Sequence, residues 1–355
     1  LLRQGWDVTV LTQRYPRTLP SAETLEGVPV RRLLFLFPRL SQLQQGRADL
    51  ILAGLLYFPF TLEQLLWLIA RAKPTVVNLH FVGAPTLFVL VARRLIRFRL
   101  IVSLHGDDVA GLPRGSWLDR WLFRAVLRRA DAVTACSRHL LAQALAVAPE
   151  ARAKSTAIPN GIEIGSFVAA TPFKWPRPYL LGLGRLVRIK GFDVLLTAYA
   201  TLRPAADLLI AGDGNERQSL ARQATQLEIN GPVSFLGGVD HATAASLIAG
   251  ARLVIIPSRH ESFGLVAAEA LAAGVPVVGT CAGGLSDVLD GADAWIVPPD
   301  DPAALAEAVS AALARLDHDP TFGARNRELA SRFSAAKMVD EYLATYGRAA
   351  IAKGS

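Results

Sequence analysis

The sequence predicts an α/β protein with parallel sheets covered by helices on both faces, arranged in two domains. Short apolar runs alternate with amphipathic helical stretches along the whole chain, the pattern of strands buried on both sides. The 355 residues suit two domains of ordinary size, and 52% apolar against 19% charged residues leaves ample core material. A proline-rich stretch, 171–178, separates two sets of strands and reads as a linker. In the first domain strands are expected at 6–12, 28–35, 75–79, 100–104 and 132–135, with a helix over 84–96. Pro159-Asn160-Gly161 is a turn after a further short strand. In the second domain strands are expected at 179–183, 207–211, 233–236, 253–256, 275–278 and 294–297, and a last helix at 335–348. No internal repeat or low-complexity tract is visible.

Charge is divided unevenly. Residues 1–168 hold 21 Lys and Arg against 11 Asp and Glu, whereas the remainder holds 17 against 19, which together give the net charge of +8. Arg93, Arg94, Arg97 and Arg99 cluster, and Arg120, Arg124 and Arg128 recur every four residues on a helix that carries Trp117, Trp121 and Leu122. A solvated helix face is the ordinary reading of such a row. Trp and Arg on one helix, with the apolar stretch 50–62 nearby in sequence, also suit attachment to an anionic lipid surface. No module for binding nucleic acid is recognisable. Cys136 and Cys281 lie far apart without a Cys-x-x-Cys or Cys/His partner, so no metal site is visible and a reducing, cytoplasmic compartment is expected. The longest stretch without charge, 74–92, contains Pro74, Asn78, His80, Gly83 and Pro85 and reads as a buried strand, turn and helix, not a membrane span. No signal-peptide layout opens the chain.

The most informative segment is 259–279, where Glu261 and Glu269 bracket the start of an otherwise apolar helix. Gly264 opens that helix and Gly274 ends it, so backbone N–H groups without intrahelical partners collect near Gly264, and such a helix start attracts phosphate. Upstream, Gly184-Arg185-Leu186-Val187-Arg188-Ile189-Lys190-Gly191 follows an apolar strand and sets cations at its end. Each feature alone is ordinary, an acid as a dipole partner or a Gly-Arg turn. Together they describe a nucleotide-sugar site.

In this order and spacing the two glutamates, preceded by Gly-Arg-Leu-x-x-x-Lys-Gly, resemble the family 4 retaining glycosyltransferases over nearly the whole chain. The resemblance implies two Rossmann-like domains whose parallel sheets face each other across a cleft, the GT-B fold. It places an acceptor-side domain at 1–170, a nucleotide-sugar-binding domain at 179–334, and a helix at 335–355 that crosses back to the first domain. It implies a nucleotide-diphosphate sugar as donor and substrate, no cofactor, no metal, and a hydroxyl acceptor drawn from lipid-linked, polysaccharide and small-molecule types. Arg185, Lys190 and the amides of Gly264, Leu265 and Val266 would stabilise the leaving diphosphate. Gly184 and Phe263 complete that lining, Glu261 would contact the donor sugar, and Glu269 the ribose hydroxyls.

Ligands of open parallel sheets collect beyond the carboxyl ends of strands. His105, followed by Gly106-Asp107-Asp108 after the strand 100–104, is a candidate to face the cleft from the opposite side; His80 has a weaker case. Gly283-Gly284-Leu285-Ser286-Asp287 departs from the Gly-Gly-…-Glu pattern of many relatives by its shorter acid, which leaves that loop's contacts open. The two glutamates are about 12 Å apart along a helix, poorly placed as a glycosidase pair. Retention would then proceed on one face, the departing phosphate taking the acceptor proton. Two other classes stay open: a nucleotide-sugar epimerase of the same architecture, and a non-catalytic membrane- or glycan-binding protein. Residues 1–5 read as the tail of a helix stopped by Gly5, and the resemblance implies a first strand and glycine-rich loop of about 25 residues before it.

Overall fold

A computed structural model of the protein describes residues 1–35, 48–83, 85–113 and 115–351. The chain divides into two compact units, the first Leu1–Thr134, Gln143–Thr156 and Tyr342–Ser355, the second Ala135–Ala142 and Ala157–Glu341.

Among the described residues the first unit contains two sheets. β1 (Val10–Gln13), β2 (Ala22–Leu25) and β3 (Val28–Leu33) form one, in the order β1-β3-β2, with β1 parallel and β2 antiparallel to β3. β2 was not expected. It forms because Glu26 (φ 49°) and Gly27 (φ 84°) both take left-handed backbone, the turn that matches strand twist in a two-residue hairpin. The expected strand at 6–12 is displaced to β1: Trp6 instead packs its ring against Tyr346, centroids 5.9 Å apart. Residues Leu2–Gln4 make one 3₁₀ turn closed by Gly5 at φ 79°.

β4 (Val76–His80), β5 (Arg99–Leu104), β6 (Ala132–Ala135) and β7 (Ser155–Ala157) form the other sheet in that order. Helices Ala48–Ala72, Thr86–Leu95 and Trp117–Arg129 accompany them; the expected helix start at Ala84 lies outside the described residues. Trp117–Arg129 begins with a capping box in which Ser116 and Asp119 satisfy each other's backbone N–H. Asp131 accepts from Arg93, Arg99 and the Leu100 N–H, which ties this helix's exit to β5. The last helix, Ala335–Ile351, brings Tyr346 onto Ile101 and its hydroxyl within 2.9 Å of Asn78.

The second unit holds one six-stranded sheet: β8 (Tyr179–Leu183), β9 (Asp207–Ala211), β10 (Val233–Gly237), β11 (Leu253–Ile256), β12 (Val277–Thr280) and β13 (Ala294–Val297). Every pair is parallel, and the order is β10-β9-β8-β11-β12-β13. Leu180, Leu181, Leu208, Leu209, Ile210, Leu253 and Val254 have no exposed surface, as continuous apolar strands require when helices cover both faces. The expected strand at 275–278 begins two residues late. The Val275 N–H is bonded back to Ala270 in the helix C-cap, and Pro276 has no N–H to give a ladder.

Wholly buried Asn326 closes the far end of this unit, accepting from the Asp293 N–H at 2.8 Å and donating to the Asp293 carbonyl at 3.3 Å. Asn326→Ala leaves both backbone groups without partners and is expected to lower stability by about 1–3 kcal/mol in urea unfolding; a change under about 0.5 kcal/mol, the range of neutral surface substitutions, would refute this.

Candidate functional site

Strand order reverses between β8 and β11, and ligands of doubly wound sheets gather at such a reversal, beyond the carboxyl ends. The loop after β8 runs through Gly184, Arg185 and a 3₁₀ turn at Arg188–Lys190. The loop after β11 runs from Pro257 to Gly264. They touch backbone to backbone: Gly191 has φ 67°, and a Cβ there would stand 2.0 Å from the Pro257 carbonyl oxygen. Ile189 O accepts from the N–H of Arg259 at 2.8 Å and of His260 at 3.4 Å.

This closeness brings Lys190 Nζ to 2.5 Å from Glu261 Oε2, with the two side chains 21% and 15% exposed. Ser258 Oγ lies 3.4 Å from the same oxygen. The Arg185 side chain is exposed and has no ion-pair or hydrogen-bond partner among the described residues. The loop after β9 packs beneath it. Gly212, at φ 144°, leaves only 1.8 Å between an added Cβ and Gly184 O, and the Leu186 N–H donates to Asp213 O at 2.9 Å.

The helix Leu265–Ala273 starts at this site. Two helix starts elsewhere in the unit are capped by side chains, where Asp240 accepts from Thr243 N–H and Asp301 from Ala304 N–H, whereas others, such as Phe192–Leu202 and Arg217–Gln226, are not. Gly264, at φ 108°, offers no side chain, and the first amides bonding back are Ala267 and Ala268, to Gly264 O. The Leu265 and Val266 amides therefore stand at an uncapped helix start. Phe263 turns its side chain into the core, 4% exposed and edge-on to Phe333, so only its backbone borders the loop. Glu269 is half-buried one turn along, and loss of water around it raises its pKa above the usual glutamate value, against a smaller opposing pull from His241.

Asp287, the shorter acid of the Gly283-Gly284 loop, serves the second unit's own framework. Its carboxylate accepts from the His139 N–H at 2.9 Å and from Arg138 Nε at 3.2 Å. Above it, Gly284 N–H donates to Glu261 O at 2.8 Å, and Ser137 Oγ to Ser262 O at 2.7 Å. The segment bearing Glu261 is thus held from two sides.

In the first unit, His105 follows β5 and His80 ends β4. Sequence spacing alone does not show that their rings stack and that His80 Nδ1 lies 2.8 Å from His105 Nε2. Burial, then the neighbouring imidazole of His105, lowers the His80 pKa to about 4, and burial lowers that of His105 against an opposing pull from Asp108. Both rings are therefore neutral at pH 7, one donating to the other. Asp108 fixes the loop, accepting from the N–H of Gly106 at 2.9 Å and of His105 and Val82 at 3.3 Å.

Cys136 and Cys281, both in the second unit, are not joined in a disulfide. Among the described residues no three His, Cys, Asp or Glu converge as for a metal ion, and no helix is long and apolar enough to cross a membrane. Sequence reasoning missed Ser258 and Arg259; the latter is tied to Asp193, Asp300 and the Arg188 carbonyl.

Comparison with known proteins identifies the family. The family model "Glycosyl transferases group 1" matches residues 167–328, and "Glycosyl transferase 4-like domain" matches residues 1–161. Glycogen synthase of Mycobacterium tuberculosis is 34% identical over 275 residues, 73% of this chain, and the match spans 64% of that protein's length. Sucrose-phosphate synthase of Thermosynechococcus elongatus superposes with a TM-score of 0.82 at 23% identity, over 98% of this chain and 90% of that one. HepE of Anabaena, solved in complex with UDP, gives 0.73 at 21% identity over 91% and 87%. These structures share the fold, two Rossmann-like domains of the GT-B type, and with both halves matched the chain belongs to the group 1, family 4-like glycosyltransferases.

Proposed function

We propose that this chain moves a sugar from a nucleotide-diphosphate sugar to a hydroxyl acceptor, with retention at the anomeric carbon and without a metal ion. The observation that carries this reading is the Lys190–Glu261 pair at the reversal of strand order, beside an uncapped helix start and the unpartnered Arg185. Cleavage of the bond between the anomeric carbon and the phosphate oxygen leaves charge on the diphosphate. Arg185, Lys190 and the Leu265 and Val266 amides are donors for that charge, the two amides being held in place by the helix. Glu261, released from Lys190 by the incoming phosphates, accepts from sugar hydroxyls, and Glu269 accepts from the ribose. The acceptor oxygen bonds to the anomeric carbon on the face the phosphate leaves, and its proton passes to the departing phosphate oxygen. His105 contributes a neutral imidazole whose tautomer His80 selects. The UDP complex of HepE makes uridine nucleotides the first donors to try.

A thermal-shift screen of nucleotide-diphosphate sugars, followed by turnover with hydroxyl acceptors, tests this. Arg185→Ala, Lys190→Ala and Glu261→Ala are each expected to lower turnover on the order of 10²–10³ while the melting transition is kept. Near-normal turnover in the Arg185 and Lys190 variants would defeat the phosphate site, and epimerised sugar nucleotide without acceptor would favour an epimerase.

Glu269 gives a second test, with stability and function moving in opposite directions. Its folded pKa is raised, so its ionisation opposes folding above the unfolded value, and that cost fades as pH falls through the raised pKa. Glu269→Gln should therefore raise the melting temperature at pH 7 by about 2–4 °C for each kcal/mol relieved, with little effect near pH 4. It should also weaken nucleotide-diphosphate binding on the order of tenfold by removing a charged acceptor. An unchanged affinity would remove Glu269 from the ribose site.

We also propose that the first unit docks reversibly on an anionic cytosolic leaflet, where lipid-linked acceptors would be met. The sequence pointed to Trp117 and Trp121, which are 71% and 53% exposed. The helix Ala48–Ala72 adds a larger stripe: Leu52, Leu56, Phe60 and Trp67 recur on one face, each about 60% exposed, while Thr61, Leu65 and Ile69 are buried behind them. Arg71 covers the Trp67 ring at 5.5 Å. Flotation with anionic vesicles should show salt-sensitive binding, weakened about tenfold or more by Phe60→Ala with Trp67→Ala. Binding indifferent to lipid charge and salt would leave these faces merely solvated.

A further inference from the structure

Arg259 stands where the two site-bearing loops meet, and its side chain is only 19% exposed. Nη1 and Nη2 grip Asp193 in a two-pronged pair at 2.8 and 2.7 Å, at the start of the helix Phe192–Leu202. Nη1 also donates to the Arg188 carbonyl at 2.6 Å, and Nε to Asp300 at 2.5 Å in the loop after β13. The Arg259 backbone N–H donates to Ile189 O at 2.8 Å. Residues on both sides of Lys190 are therefore bonded to Arg259, and Glu261 lies two residues further along the same strand exit.

Four of the five guanidinium N–H donors are committed to these protein acceptors, which leaves Arg259 poorly equipped to bind a phosphate itself. Its planar fork instead fixes the path of the 188–193 segment. Lysine could supply the charge but not the two parallel bonds. A flexible ammonium such as that of Lys190 acts on a phosphate only if its backbone is held, because small misplacement of a charged donor costs much of its effect.

We infer that Arg259 is a positioning residue that holds Lys190 at the diphosphate site by clamping Asp193 and the Arg188 carbonyl. This rests on the reading of Lys190 as a diphosphate ligand, and the experiment separates the two. Binding of UDP, ADP and GDP is measured by titration calorimetry on the full chain, and the tightest of the three is carried through the variants. Lys190→Ala is expected to weaken it about tenfold or more, the loss of a charge-assisted contact. Arg259→Ala should weaken it about tenfold, and Arg259→Lys should stay within about threefold of Arg259→Ala because the fork is lost. Adding Arg259→Ala to Lys190→Ala should change affinity by less than about twofold, since the residue acts through Lys190.

No binding to the unaltered chain, or normal binding by Lys190→Ala, defeats the reading of the site and the inference with it. Loss in Lys190→Ala with Arg259→Ala left within about twofold of the unaltered chain defeats the inference alone. So does full recovery by lysine, a double variant losing the product of the two single effects, or a fall in binding sites per chain with unchanged Kd, the signature of misfolding.

Discussion

The contact of backbone on backbone between the loops after β8 and β11 is the constraint on which the rest of the site depends. Gly191 lies against the Pro257 carbonyl, and two successive N–H groups, of Arg259 and His260, converge on Ile189 O. With the chains this close, a lysine from one loop and a glutamate from the other meet without either strand departing from the sheet's register. The resulting ion pair is partly buried, and such pairs gain little stability beyond the loss of water around them. Its significance is placement: an ammonium and a carboxylate of fixed separation stand beside an open helix start, where phosphate and hydroxyl groups of one ligand would each find a complementary partner.

Much of this was legible because strands and site residues are local in sequence. The β8 and β11 exits, Arg185, Lys190, Gly264 and both glutamates follow from apolar runs and the glycines that end them. The parallel sheet of the second unit follows from strands that read as unbroken apolar runs. Errors arose where local bonding overrode periodicity. The C-cap at Gly274 consumed Val275, and the Glu26–Gly27 turn created a hairpin from a polar stretch that showed no strand pattern. Arg259 was hidden for another reason: its partner Asp193 is 66 residues away, and only the fold makes them neighbours. Phe263, which the resemblance places in the lining, keeps its side chain in the core and leaves its backbone beside the loop.

The first unit shows how neutral polar groups can be held in readiness. Two imidazoles at adjacent strand ends share a hydrogen bond, and burial keeps both uncharged across the physiological range. Asp108 bonds to three backbone amides of the surrounding loops, so the carboxylate fixes geometry as well as adding charge nearby. The same unit presents apolar side chains outward on the helix Ala48–Ala72, while the helix Trp117–Arg129 begins in a well-formed cap. Polar order at strand ends and outward-facing apolar surface therefore coexist within a few secondary-structure elements.

The glycines bordering the site also limit how this protein can be altered. A methyl group at position 191, 212 or 283 would fall within 2.3 Å of a neighbouring carbonyl oxygen, and all three positions use left-handed or extended positive-φ backbone. No side chain can be introduced there without displacing the backbone that it would meet. Variation within this loop cluster falls to positions that already carry side chains on the rim, such as Arg185, Ile189, Leu265 and Val266. The glycine floor admits no added side chain, and room for substitution lies at its edge.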